Sequence, residues 1–306
     1  MAGSGKSTLM RALDDYVRAD AEAAAAVEGG TSIATAGPTD ADATPPPPIY
    51  LINLDPAAAE VDYPASIDIR DTVNYKGVMA EYGLGPNGGI LTALNLFATR
   101  FDQVVALLEK ARDPPLRLAV LDTPGQIEIF AWSASGSIMT DSLGASMPTA
   151  VVFVVDTPRC ASAPAFVANI LQAASILYRT RLPLLLVFNK SDVAGAGAVT
   201  SWLTDWDALD AALAGEKSYA ASLSRSLSLV LDEFVGAIPH VTVSAATGAG
   251  FDDLLRACGA LRETYAATYL PDLLARRGAA AAAEAERQAG ELARMRLDAE
   301  GGAGGG

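Results

Sequence analysis

Apolar positions along this chain fall into two alternating kinds of segment. Some are short and nearly continuous: Ile49 to Leu54, Leu116 to Leu121, Thr149 to Val155, Leu182 to Phe188 and Val241 to Val243. Runs of this kind predict strands buried on both faces. Between them lie stretches with helical spacing. Residues 7–18 read as a short helix entered from a glycine-rich turn, and a helical patch covers Tyr75 to Tyr82. Ile90 to Arg112 places Leu91, Leu94, Phe97, Phe101, Val104, Val105 and Leu108 mostly at three- and four-residue steps, which predicts one helix. Ala165 to Tyr178, residues 201–236 and Phe251 to Tyr269 read as further helices. Apolar strands separated by helices predict an α/β fold, a mostly parallel sheet covered on both faces.

Several segments break the alternation. From Asp20 to Pro48, Ala, Gly, Thr and Asp dominate and the stretch closes on Pro45 to Pro48. That composition predicts a disordered low-complexity insert over 20–48 ending in extended polyproline, and no function is assigned to it. Residues 64–82 carry polar turns ahead of the helical patch. Gly83-Leu84-Gly85-Pro86-Asn87-Gly88-Gly89 is a dense loop signal. Residues 279–300 read as an Ala/Glu/Arg-rich helix with little apolar face, and 301–306 as a flexible glycine tail.

Composition narrows the function. The 306 residues suit one large domain or two small ones at roughly 150 residues each. A formal net charge of −14 repels phosphate backbones and anionic lipid, which argues against direct nucleic-acid or membrane partners. Cys160 and Cys258 lie far apart and read as ordinary thiols of a reducing compartment. The lone His240 reads as the first residue of the last strand. The opening Met1-Ala2-Gly3-Ser4-Gly5-Lys6 has no apolar signal region, and the apolar runs at 149–155 and 182–188 fall short of the ~20 residues of a membrane span. A soluble, cytoplasmic protein is expected.

The chemistry sits at strand ends. Gly3-Ser4-Gly5-Lys6-Ser7-Thr8 is the second half of the phosphate-loop pattern G-x-x-x-x-G-K-[ST]. Its glycines let backbone N–H groups curl around phosphate oxygens, at the positive end of the following helix. Lys6 would reach the β- and γ-phosphates and the Ser7 hydroxyl would ligate Mg²⁺. The first glycine of the pattern would fall one position before Met1, and the strand that feeds such a loop is not in the chain, so an upstream truncation is expected. Asp122-Thr123-Pro124-Gly125-Gln126 follows a predicted strand. There Asp122 would hold Mg²⁺ through water, the Gly125 N–H would touch the γ-phosphate, and Gln126 would orient the attacking water. Asn189-Lys190-Ser191-Asp192 follows another strand and matches the guanine reader N-K-x-D. Asp192 would accept from guanine N1–H and the exocyclic amine, donors that adenine does not offer. Ser244-Ala245-Ala246 follows the last strand and matches the weaker element whose backbone N–H meets guanine O6. Each motif alone is a common turn; their order and their strand context carry the signal.

Gly85-Pro86-Asn87 followed by Gly88-Gly89-Ile90 resembles the signature of the GPN-loop GTPases. Asn53-Leu54-Asp55-Pro56-Ala57 and Ile67-Asp68-Ile69-Arg70-Asp71 match the same family, and Gln126-Ile127-Glu128 with Trp132-Ser133-Ala134-Ser135-Gly136 look like the first of its three eukaryotic paralogues, also described as an XPA-binding GTPase. The resemblance covers roughly residues 1–275 outside the 20–48 insert. It implies a GPN-loop GTPase domain over 1–270, followed by a C-terminal helix and tail over 271–306. It further implies GTP and GDP as ligands with Mg²⁺, Asp55 near the metal and the attacking water, and Glu128 helping to place that water. Asn87 would enter the partner subunit's site, which implies a heterodimer with another GPN-loop protein. Assembly and nuclear import of RNA polymerase II, contact with its subunits and shuttling to the nucleus are likewise implied. The competing expectation is a catalytically impaired scaffold that docks a GPN-loop partner or polymerase subunits.

Overall fold

The computed structural model describes residues 3–28, 49–111, 116–215, 218–235 and 238–302. Its strands are β1 (Ile49–Asn53), β2 (Ile67–Asp68), β3 (Leu118–Asp122), β4 (Val151–Asp156), β5 (Leu184–Asn189) and β6 (His240–Thr242). They form two parallel three-stranded sheets, ordered β2-β1-β3 and β4-β5-β6. The expectation of one sheet is thus met as two halves: among the described residues β3 and β4 each pair with a single neighbour.

Alternation along each strand decides what covers it. Ile49 and Leu51 of β1, Val154 of β4, and Leu185 and Val187 of β5 share one core with Leu9, Met10, Leu13 and Val17 of α1 (Lys6–Glu28). Phe251, Leu254 and Leu261 of α12 (Phe251–Thr264) complete that core. α1 therefore lies across both half-sheets, its apolar residues three and four positions apart. On the opposite face, Ile52 packs with Ala93, Leu94, Phe97 and Phe101, from α4 (Pro86–Ala98) and α5 (Phe101–Glu109), and with Met139 of α7 (Ala134–Ser146). The same face of the other half, Phe153, Val155, Leu186 and Phe188, meets Phe166 and Ile170 of α8 (Ala163–Thr180). Leu203 of α9 (Gly197–Thr204) and Leu209 of α10 (Trp206–Gly215) join that cluster.

Four expectations change. The first helix runs to Glu28 and takes in part of the expected insert, because Ala21 and Ala23 to Ala26 are strong helix formers; residues 29–48 lie outside the described residues. The loop expected over 83–89 is half helix. Gly83 ends α3 (Tyr75–Tyr82) in the left-handed region, and α4 begins at Pro86, where a fixed φ and a missing N–H suit a first helical turn. The single helix expected over Ile90 to Arg112 breaks at Thr99 and Arg100, bending by 56°. Thr99 Oγ1 returns to the Leu96 carbonyl at 2.7 Å, and Phe97 and Phe101 meet edge to face in the core. Finally, α12 passes through a π-helical turn, Tyr265–Tyr269, into α13 (Leu270–Gly302), so the helix includes the first two glycines of the expected tail. Among the described residues no single helix is long and apolar enough to cross a membrane.

Candidate functional site

Polar side chains end the strands in matched pairs. The register sets Asn53 of β1 beside Asp122 of β3, and Asp156 of β4 beside Asn189 of β5. All strands run parallel, so these ends share the carboxyl rim, where α/β sheets bind ligands.

The loop Gly3-Ser4-Gly5 enters α1 at this rim. Gly5 has φ +83°, and a Cβ on it would lie 2.7 Å from Asn189 Nδ2. A glycine here meets both the backbone angle and the close approach. Lys6 opens the helix, and the hydroxyl of the next residue, Ser7, lies 2.8 Å from Asp122 Oδ2, to which it donates. The hydroxyl of the buried Tyr63 donates to the same oxygen at 3.3 Å. Burial pushes the Asp122 carboxyl up from its ordinary value; Ser7, Lys6 and Tyr63 oppose that, and Asp55 adds to it.

Asp55 follows β1. Its own N–H donates to Asn53 Oδ1 at 3.0 Å, Ala57 N–H donates to its Oδ1 at 3.0 Å, and Gly125 N–H reaches its Oδ2 at 3.4 Å. Gly3, Gly5, Lys6, Ser7, Thr8, Asp55, Asp122 and Gly125 thus line one cleft of about 300 Å³. Among the described residues no three His, Cys, Asp or Glu side chains gather into a metal cage. Two mutually repelling carboxylates and a hydroxyl form instead a partial shell of hard oxygens. That donor set fits Mg²⁺, which keeps several waters and takes phosphate oxygens as ligands.

A second loop is bonded onto the first. Asn189 Nδ2 donates to the Ser4 carbonyl at 3.0 Å, and Asn189 Oδ1 accepts from Ala245 N–H at 3.1 Å. Lys190 sits at φ +69° and donates from Nζ to the Gly3 carbonyl and to Asp156 Oδ2, both at 2.8 Å. Ser244 Oγ donates to Asp192 Oδ1 at 2.6 Å, which fixes the carboxylate expected to read guanine. Lys6 and Asp122 therefore share a cleft, and Asp192 is joined to the same phosphate loop through Ser244, Ala245 and Asn189.

Three expected residues lie elsewhere. Gln126 and Glu128, at the start of α6 (Ile127–Ala131), are exposed and do not line the cleft; Glu128 Oε1 accepts instead from Gln172 Nε2 at 3.5 Å. Gln126 precedes that helix in extended conformation, and Glu128 lies in its first turn. Asn87 is exposed in the first turn of α4, away from the cleft-lining residues. Two residues were missed. Asp156, which binds Lys190 and lies 3.5 Å from Arg159 Nε, stands immediately after a predicted strand just as Asp122 does, a signal that was readable. Tyr63 lies between the first predicted strand and the polar turns read from residue 64, and left no such signal.

A glycine-rich loop opening a helix beside a strand-ending carboxylate, on parallel α/β sheets, defines a phosphate-loop nucleotide-binding protein. Residues 44–263 match a family model described as "conserved hypothetical ATP binding protein". The chain is 54% identical over 224 residues to GPN-loop GTPase QQT2 of Arabidopsis thaliana, covering 73% of this chain and 59% of that protein. To GPN-loop GTPase 1 of Schizosaccharomyces pombe it is 42% identical over 282 residues, covering 89% and 70%. GPN-loop GTPase 3 of Dictyostelium discoideum matches less fully, at 33% over 148 residues, 47% of this chain and 50% of that protein. In structure, the apo form of a GTPase from Pyrococcus abyssi superposes with a TM-score of 0.64 at 23% identity, covering 88% of this chain and 95% of that one. The chain belongs to the GPN-loop GTPase family, and its fuller matches are to paralogue 1. It spans 59% of the length of the Arabidopsis relative and 57% of that of GPN-loop GTPase 1 of Dictyostelium.

Proposed function

We propose that this chain binds GTP with Mg²⁺ at the cleft and hydrolyses it. One observation carries the proposal: the loop Asn189 to Asp192 is hydrogen-bonded onto the phosphate loop, through Ser4 and Gly3, at the rim where Ser7 meets Asp122. A base-reading carboxylate and a phosphate cradle are thus held on one support. Lys6 would neutralise the terminal phosphates, and the loop N–H groups would cradle them. Ser7, Asp55 and Asp122 would hold Mg²⁺, which would supply neutralising charge to the phosphates when bound. Asp192 would accept the guanine donors. Gln126 and Glu128 would orient water once α6 approaches the cleft, and Asn87 would serve a partner subunit's site from the exposed start of α4.

The names of the relatives support GTP over the ATP of the family description. The test is direct. Wild type is expected to prefer GTP, Asp192→Asn to lose that preference, and Lys6→Ala to lose nucleotide binding. An Asp192→Asn protein that still prefers GTP, or a Lys6→Ala protein of unchanged affinity, would refute the assigned roles. We further propose a heterodimer with another GPN-loop protein, contact with RNA polymerase II subunits, and a role in their assembly and passage from cytoplasm to nucleus. Co-expression with a GPN-loop partner followed by co-purification tests the first step.

A non-hydrolysing scaffold is the second reading, favoured by Glu128 facing Gln172 rather than the cleft. Nucleotide binding without turnover, with and without a GPN-loop partner, would establish it.

A further inference from the structure

We infer that Tyr63 is a positioning residue for the metal side of the site: its phenol holds the Asp122 carboxylate so that Mg²⁺, rather than nucleotide alone, is bound tightly. The inference rests on the nucleotide assignment above and deepens it.

The geometry is specific. Tyr63 is 5% exposed, and its ring packs in the core shared by Ile49, Leu51 and Val17. From there its hydroxyl reaches Asp122 Oδ2 at 3.3 Å, the oxygen that also accepts from Ser7 at 2.8 Å. Asp122 is 6% exposed, so little water competes for it. A carboxylate oxygen has two lone pairs, and Ser7 and Tyr63 together use both on Oδ2. The other oxygen, Oδ1, is thereby left for the cation and its waters.

A buried tyrosine hydroxyl needs a partner, and here that partner is a side chain assigned to the metal shell. Ser7 would share its hydroxyl between two tasks, its oxygen turned to the metal and its proton to Oδ2. Tyr63 supplies a second point of attachment that takes no part in metal ligation. Hydrogen bonds to the carboxylates around a metal site orient them and tune metal affinity.

Tyr63→Phe keeps the buried ring and removes only the hydroxyl. GTP affinity is measured for the full chain in EDTA and again across a Mg²⁺ titration, with thermal melts of the nucleotide-free proteins as the folding control. Expected are an EDTA affinity within about twofold of wild type, and a Mg²⁺ concentration for half-maximal tightening raised about five- to tenfold. If Tyr63→Phe melts early, both titrations are run well below its transition, where the ratio of its affinities with and without Mg²⁺ gives the same readout. An unchanged Mg²⁺ dependence overturns the inference, as does an equal loss of affinity with and without Mg²⁺. A wild-type chain that takes up no GTP in either buffer overturns the nucleotide assignment itself, and this inference with it.

Discussion

Arg70 grips Asp68 through Nε at 3.0 Å to both carboxylate oxygens and through Nη2 at 2.7 Å to Oδ2. The same guanidinium donates from Nη1 to the carbonyls of Ala58 and Ala59, at 3.1 and 3.3 Å, in the loop that walls the cleft. Asp68 also accepts from Asn53 Nδ2 at 3.0 Å, which ties the pair to the end of β1. Burial alone would raise the Asp68 carboxyl; the Arg70 hydrogen bonds and then Asn53 outweigh it and hold it below the ordinary aspartate range.

A pH-dependent stability follows. A carboxyl depressed in the folded state stabilises above its unfolded value and loses that contribution as pH falls through its folded value. Arg70→Met is therefore expected to destabilise the fold by about 2 kcal/mol at pH 7, less than a fully buried pair because Arg70 is partly solvated. The difference from wild type shrinks as pH drops below the ordinary aspartate value. Urea denaturation of both proteins at pH 7 and pH 3 measures it; a constant gap would contradict the ionised pair as its source.

Gly136 is fixed by close packing. A Cβ on it would stand 1.9 Å from the Phe130 carbonyl oxygen, while Ser133 caps the helix by accepting from Gly136 N–H at 3.0 Å. Gly136→Ala is expected to cost about 3 kcal/mol or more, and Ser133→Ala about 1 kcal/mol through loss of the cap. Thermal melts that rank the two in the opposite order would disprove the steric account.

Gly5→Ala separates binding from folding. Its left-handed backbone and the 2.7 Å approach to Asn189 Nδ2 force either the loop or Asn189 to move. GTP affinity is expected to fall at least about a hundredfold, with the melting temperature lowered by roughly a few degrees, since the strain stays within one loop. Calorimetric titration beside a thermal melt gives both numbers.

Asn189→Ala removes the Ser4 bond and leaves a buried carbonyl without that donor. Nucleotide affinity is expected to drop about tenfold or more, for GTP and ATP alike, because the loss falls on the phosphate loop and not on the base. A loss confined to GTP would move Asn189 from support to recognition.

Much of this site was legible because the chemistry follows apolar runs. Asp122 and Asn189 each follow a nearly continuous apolar run, so their place at the end of a strand was readable in advance. Other elements left weaker traces. β2 is only Ile67 and Asp68, too short for any period. α7 is built largely from Ser, Gly, Ala and Thr and is ordered by the Ser133 cap and the burial of Met139 and Leu143, which periodicity does not register. At Pro86 the same residue types that make turns also begin helices, and only the backbone ahead, with Gly83 reversing the chain, distinguishes the two. Tyr63 was hidden for a different reason: its importance lies in one oxygen of a residue 59 positions away.

Lys190 spans from Asp156 to the Gly3 carbonyl and so ties the end of β4 to the loop that opens α1. The opening loop of α1 is thus moored to the ends of β4 and β5, so the half-sheet that lends no carboxylate to the cleft still sets where that loop lies.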